Sequence, residues 1–444
     1  MHCGVDKKPL FGYNIGMMKY ALINGKILDG KKDMKVREGV CILVDDGVIT
    51  AVAEESCADL SGYKKIDLGG KYVMPGLINM HVHLAGNGKP QKKQKDNAKL
   101  VKKIMSTPLT RAIAYKMVAG FAKTELLSGV TTIRTMGGLV DFDSRLRDEI
   151  LAGKKDGPRI LAANRGISVE GGHMAGSVAI AAKNKEEALA ILENNRKEKV
   201  DLVKLMITGG VLDAKEKGVP GEVKMPADMV KAVCEKAHEE GYLVAAHAES
   251  PAGVKLALEN GVDSIEHGAE PTEEILGLFR SRGAFLCTTI SPALPYAFFD
   301  RSVSHASETE QYNGKVVFDG IVANSKAALK QGIPVVLGND VGCPWITQYD
   351  FWRELYYFHK YTGASNSFAL YTATLAGAEA AGIGDITGSI EEGKCADMIV
   401  TKNNPLDDLR ALEKVETVIA RGKIYDRQKV KVNKRVKAEL DKFL

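Results

Sequence analysis

Between Met74 and Thr387, short β-branched runs alternate with segments of helical apolar spacing, and this alternation constrains the fold more than any other feature. The candidate strands are Leu77–His81, Thr131–Arg134, Arg159–Ala163, Leu202–Met206, Leu243–His247, Ser264–His267, Phe285–Thr288 and Val335–Leu337. Helical spacing recurs between them: Met229, Val230, Val233, Cys234 and Ala237 fall on one face of the segment 227–240. Eight strand–helix alternations over roughly 310 residues predict an α/β fold, a (β/α)8 TIM barrel with loop insertions, where about 250 residues is typical.

The flanks read differently. ALINGKILDG, CILVDDGVITAVAEE and YKKIDLGGKYVM are strand-like runs punctuated by N-G, D-G and G-G turns. GSIEEGKCADMIVTKNNPL and VETVIARGKIYD repeat that character near the other end. The expectation is a small β-sandwich domain built from both segments, 18–73 plus 388–430, around a barrel at 74–387. A chain of 444 residues exceeds what one compact core usually holds, which favours such a division.

Residues able to bind metal stand at the ends of these candidate strands. His81-Val82-His83 closes the first, Lys204 lies in the fourth, His247 ends the fifth, His267 ends the sixth, and Asp340 follows the eighth. Reacting groups of such barrels sit at the C-terminal strand ends, so the placement carries more weight than any one motif. Alternate strand residues share a face, which lets His81 and His83 bind one ion. H-x-H alone is a weak signal; with four further ligands it points to a metal centre.

Lys204 is the odd member, because an ammonium has no lone pair to give a cation. A carbamate formed from carbon dioxide on the amine supplies two carboxylate-like oxygens. Burial among apolar neighbours favours the neutral amine that this reaction needs. Two divalent ions are expected, with zinc suiting the imidazoles best. His81 and His83 would hold one, His247 and His267 the other, and Lys204 would bridge them. Ions about 3.5–4 Å apart make a bridging hydroxide at neutral pH. Asp340 is expected to bind metal, take the proton of the attacking water and pass it to the departing amine. His173, in VEGGHMAG, reads as a donor to the substrate carbonyl or its developing oxyanion. His2, His238, His305 and His359 read as structural or exposed.

With those residues in place, the chain resembles the amidohydrolase superfamily along nearly its whole length. The matching stretches are ALINGKILDG, VMPGLINMHVHL, TTIRTMGG, GGHM, VKLMITGG, IEHG, GNDVG and GSIEEGKCADMIV. Within the superfamily it is most similar to the imidazolonepropionase-like group that contains Xaa-Pro dipeptidases and zinc carboxypeptidases. The resemblance implies a binuclear zinc hydrolase cutting an amide next to a free carboxylate, often as a homo-oligomer. It implies the same six ligands, with Asp340 also catalytic and His173 in contact with substrate.

Departures fall on the substrate side. Dipeptidase-like members often carry a tyrosine after the fourth strand that binds the substrate carboxylate. Here the stretch is GEVKMPADM, and Lys224 is the expected substitute. Thr135 and Asn339 replace residues common in the group, and Cys343 lies near the expected site. The lysine-rich insertion 85–107 is expected as a lid.

Bulk composition narrows the classes. The 61 Lys and Arg exceed the 56 Asp and Glu by only five, and the basic runs at 89–103 and 423–442 read as solvated faces rather than a nucleic-acid surface. Seven scattered cysteines without a C-x-x-C pair argue against a disulfide framework and for a reducing, cytoplasmic compartment. The opening MHCGVDKKPLFGYNIGMMKY lacks the apolar core of a signal peptide, and no stretch is long enough to span a membrane. The expected function is hydrolysis of small amides, dipeptides or N-acyl amino acids. A cyclic-amide or lactone hydrolase with the same centre is the alternative, and a metal-free scaffold a more distant one.

Overall fold

The computed structural model describes residues 19–91, 96–426 and 430–444. The opening residues and His2, the first residue of the expected 18–73 segment, and parts of both basic runs lie outside them.

The middle of the chain is a mixed α/β fold built on parallel strands. Leu77–Val82, Val130–Thr135 and Arg159–Leu161 form one parallel set. The second set runs in the order Ala179–Ala182, Gly166–Val169, Leu202–Met206, Leu243–Ala248, Ser264–His267, Phe285–Thr288 and Val335–Leu337. Most of these strands are buried along their whole length, as expected where helices cover a parallel sheet. Helix Ala227–Glu239 buries Met229, Val230, Val233, Cys234 and Ala237, the five residues whose spacing marks its apolar face.

The third candidate strand differs from expectation. It pairs with Val130–Thr135 only over Arg159–Leu161, then breaks at Asn164, whose φ is +51°. Asn164 is fully buried and is held there by side-chain bonds to the backbone N–H and hydroxyl of Ser144. The chain resumes as Gly166–Val169, which pairs in parallel with the unforeseen strand Ala179–Ala182 and touches Leu202–Met206 at Leu205. The loop between these two strands carries His173.

Strands from both flanks share a second, eight-stranded sheet. Tyr20–Ile27 is its hub. One edge pairs with Arg37–Asp45, while the other divides, Tyr20–Ile23 pairing with Lys64–Asp67 and Lys26–Ile27 with Tyr72–Val73. Tyr72–Pro75 then pairs with Met398–Thr401, which continues to Val415–Ala420 and Lys423–Asp426. Ile42, Ile49, Val73, Ala396 and Met398 lie in the core this sheet encloses. Asp397 ties it to the middle segment, accepting from Arg159 Nη2 at 3.1 Å, Thr387 Oγ1 at 2.9 Å and the Arg421 N–H at 2.7 Å. Among the described residues, no helix is long and apolar enough to cross a membrane.

Candidate metal centre and the cavity above it

The ends of the parallel strands bring His81, His83, Lys204, His247, His267 and Asp340 around one small cavity of 80 Å³, with His173 on its wall. Gly338 makes part of this convergence possible. A Cβ there would lie 2.4 Å from His81 Cβ, so only glycine lets the eighth strand reach the first so closely. Beyond the strand ends, the Asp340 N–H donates to His81 O at 3.0 Å and the His83 N–H to Val341 O at 2.9 Å. His267 and Asp340 have φ values of +69° and +51°. Left-handed backbone at such residues costs of order 1–3 kcal/mol, and such strain gathers at functional sites.

Each imidazole is oriented by a partner on one nitrogen. His81 Nδ1 is 2.8 Å from Glu266 Oε2, and His83 Nδ1 is 2.9 Å from Gly137 O. His267 Nδ1 is 2.6 Å from Thr289 Oγ1, whereas His247 uses Nε2, 3.1 Å from Gly209 O. The opposite nitrogens are thereby left for another partner. Such arrangements fix ring tautomer and orientation around metals. The Nε2 atoms of His81 and His83 lie 3.5 and 3.3 Å from the same oxygen, Asp340 Oδ1. Burial pushes all four rings below the usual histidine range, His83 to about 4, so they are neutral with lone pairs to give.

Lys204 is 1% exposed, and its Nζ has no hydrogen-bond partner. Burial lowers its amine to about 8. Burial alone would raise the Asp340 carboxyl, but His81, His83 and His267 outweigh it and hold the group well below the usual carboxylate range. Its Oδ2 accepts a 3.3 Å bond from Cys343 Sγ.

Several site residues have no signal in the sequence beyond their neighbours. Glu266 precedes His267 on the same strand and points to the opposite face, under His81. It is fully buried, and Arg134 Nη2 reaches its other oxygen at 2.6 Å. Burial alone would raise Glu266, yet Arg134 and His81 hold it well below the carboxylate range. Glu249 also faces the small cavity, with Oε2 out of solvent and unpartnered. Burial first, then the Asp340 and Asp213 charges, push its carboxyl up to about 8. Asp213 holds His173, Oδ2 to Nδ1 at 2.6 Å, while His173 stacks on His247 with ring centroids 4.1 Å apart.

A cavity of 880 Å³ opens above this centre, and His83, His173, Leu212, Tyr296 and Cys343 line both spaces. The insertion after the first strand forms much of its wall through Lys89, Asp96, Leu100, Val101 and Ile104. Lys224 is elsewhere: its ammonium pairs with Glu222, and it lines neither cavity. His305 is exposed and lines the larger cavity, while His238 pairs with Asp263 and His359 with the Ala364 carbonyl.

The amidohydrolase family pattern matches residues 72–425, which takes in every residue of the centre and the cavities described above. The chain belongs to the amidohydrolase family. Among solved structures, this amidohydrolase is similar to a candidate prolidase from Bifidobacterium longum, with 35% identity, a TM-score of 0.85, and coverage of 96% of this chain and 99% of that one. A Xaa-Pro dipeptidase with methionine bound in its active site is 30% identical, with a TM-score of 0.81 over 92% of this chain and all of the other. The ochratoxinase of Aspergillus niger is 22% identical over 461 residues, spanning 93% of this chain and 88% of that protein. The amidohydrolase is thus a hydrolase acting on C–N bonds of small molecules.

Proposed function

We propose that this amidohydrolase is a binuclear zinc enzyme that hydrolyses the amide bond of dipeptides or N-acyl amino acids. The observation that carries the reading is the convergence of His81 Nε2 and His83 Nε2 on Asp340 Oδ1, beside a buried Lys204 amine with no partner. Donors at zinc–nitrogen distances of about 2.0–2.1 Å in a tetrahedron lie roughly 3.3 Å apart, so the observed spacings suit a shared ion. Unpartnered Lys204 Nζ and Asp340 Oδ1 are costly to bury unless something binds them. The residues fit the metals: His81, His83 and Asp340 would hold one ion, His247 and His267 the other, and carbamylated Lys204 both. Two divalent ions there supply a water that is nucleophilic at neutral pH and polarise the scissile carbonyl.

The chain's own groups do the rest. Asp340, whose carboxyl lies well below the usual carboxylate range and is therefore ionised, takes the proton from the attacking water as the C–O bond forms. It returns that proton to the nitrogen as the C–N bond breaks, leaving a carboxylic acid and an amine. Asp213 Oδ2 holds His173 Nδ1 at 2.6 Å and fixes the ring on the wall of the small cavity, where it would contact the substrate carbonyl oxygen. The small cavity confines the reacting bond, and the larger one takes the acyl or side-chain portion. Lys224 would leave Glu222 to meet a substrate carboxylate. The bonds from the Asp340 N–H to His81 O and from the His83 N–H to Val341 O, with that of the Asp201 N–H to Ala162 O, support a closed (β/α)8 barrel.

Metal content by mass spectrometry, an intact-mass search for the Lys204 carbamate, and a panel of Xaa-Pro dipeptides, N-acyl amino acids, cyclic amides and lactones test this reading. Two ions per chain, the carbamate and turnover of the open-chain amides are expected. Fewer than two ions, or turnover confined to ring amides or lactones, overturns it.

A further inference from the structure

The two halves of the centre are unequally furnished. His81 and His83 share theirs with Asp340, whereas the other half has only His247 and His267 besides Lys204. Glu249 stands beside that poorer half. His247 Nδ1, the nitrogen left open by the Gly209 bond, and His267 Nε2, left open by Thr289, belong to the two rings it accompanies. One donor atom from each of His247, Glu249 and His267 lies within 4.8 Å of the other two.

Strand geometry explains how Glu249 comes to be there. His247-Ala248-Glu249 repeats, at the end of its strand, the i, i+2 spacing of His81-Val82-His83, which sends both side chains to one side. The position is fixed from behind: the Glu249 N–H donates to Thr208 Oγ1 at 3.1 Å. Gly221 presses on its backbone so closely that a Cβ would come within 2.4 Å of it. A Cβ on Gly210 would sit 3.3 Å from Glu249 Oε2, so glycine there keeps space in front of the carboxylate. That oxygen is removed from solvent and has no hydrogen-bond donor. A buried, unpartnered carboxylate oxygen in a residue grouped with two imidazoles, each with one nitrogen open, is the donor set a cation would satisfy.

We propose that Glu249 is a further ligand of the ion held by His247 and His267, giving this half an H-x-E pair to match the H-x-H pair of the other. The inference rests on the two-ion reading above. A mixed imidazole and carboxylate set is within the ordinary range for zinc and related divalent ions. The added carboxylate also offsets one unit of the positive charge gathered in the cavity.

The test is made on the full-length protein, stripped with chelator and reloaded with zinc and bicarbonate. Ions per chain are counted by mass spectrometry along a chelator titration for wild type, Glu249→Gln and Glu249→Ala. Cobalt reloading gives a visible absorption spectrum of the same site. Wild type should hold two ions, while both variants keep the first and bind the second at least tenfold more weakly, with an altered cobalt spectrum. Gln is nearly isosteric with Glu, so circular dichroism on that variant separates lost ligation from misfolding. If both variants hold the second ion with wild-type affinity and an unchanged spectrum, Glu249 is no ligand and the two-ion reading survives. If wild type itself binds fewer than two ions, that reading fails and this inference falls with it.

Discussion

His81 and Glu266 form a pair sealed from solvent, Nδ1 to Oε2 at 2.8 Å, with Arg134 closing on the far carboxylate oxygen at 2.6 Å. The carboxylate is needed to turn the imidazole, and the guanidinium is needed to keep the carboxylate ionised. Removing any one member leaves a buried polar group unmatched. The arrangement aims His81 Nε2 at the centre without Glu266 touching it.

Glu266→Gln should therefore weaken metal binding by about 10–100-fold, the usual effect of losing such an orienting partner. Chelator titration of the reloaded protein measures it. Unchanged affinity would mean that His81 is positioned by the backbone alone.

Lys204→Ala should lose metal and turnover together, and a short carboxylic acid in the buffer should restore part of both. Such rescue would show that a carboxylate-like group is what the position supplies. Full activity in the variant would rule out a bridging role.

The same lysine carries a pH signature. With its amine lowered to about 8 by burial, the metal-free protein holds mostly ammonium below that pH and mostly neutral amine above it. Only the neutral amine adds carbon dioxide. At constant dissolved carbon dioxide, the rate of carbamylation should rise with pH and level off above about 8. An ordinary lysine would keep rising toward about 10.4. Mass spectrometry of quenched samples distinguishes the two profiles.

Asp340→Asn removes the proton acceptor while leaving an oxygen in place. Turnover should fall by roughly 10²–10⁴-fold, the range for losing a general base, while much of the metal stays bound. Activity and metal content on one preparation separate the two effects. A variant that hydrolyses substrate at the wild-type rate would remove Asp340 from the reaction.

Asp156 joins the eight-stranded sheet to helix Pro108–Leu127, receiving bonds from Lys123 Nζ at 2.9 Å, Lys423 Nζ at 2.7 Å and the Tyr425 hydroxyl at 3.1 Å. Burial would raise its carboxyl, but the two lysines outweigh it and bring it down to about 2. A folded value below the unfolded one, about 3.9, means the stabilisation is full above pH 4 and is lost as pH falls toward 2. Asp156→Asn should lower Tm at pH 6, by an amount corresponding to at most about 1 kcal/mol for so exposed a cluster, and the deficit should shrink as the pH is taken below 4. A deficit independent of pH would point to packing rather than charge.

The strands of the middle segment were legible because parallel strands are buried on both faces and read as unbroken β-branched runs. The observed bounds of Leu202–Met206, Ser264–His267, Phe285–Thr288 and Val335–Leu337 coincide with the apolar runs that mark them. The histidines, Lys204 and Asp340 stand out for a related reason: polar residues interrupt apolar runs only where something pays for their burial.

What only the tertiary structure decided depends on contacts between distant segments. The break at Asn164 is held by Ser144 on another element, and local propensity carries no trace of that bond. Glu266 and Glu249 look like ordinary acidic residues beside histidines until strand alternation turns one under His81 and the other toward the centre. Lys224, expected at the substrate, pairs with Glu222 two residues away because that partner is always within reach. Sequence alone determined which chemistry stands at the strand ends, since a strand's period is local. Which nitrogen of each ring is free was settled by Glu266, Gly137, Gly209 and Thr289, partners that approach only when the strands assemble.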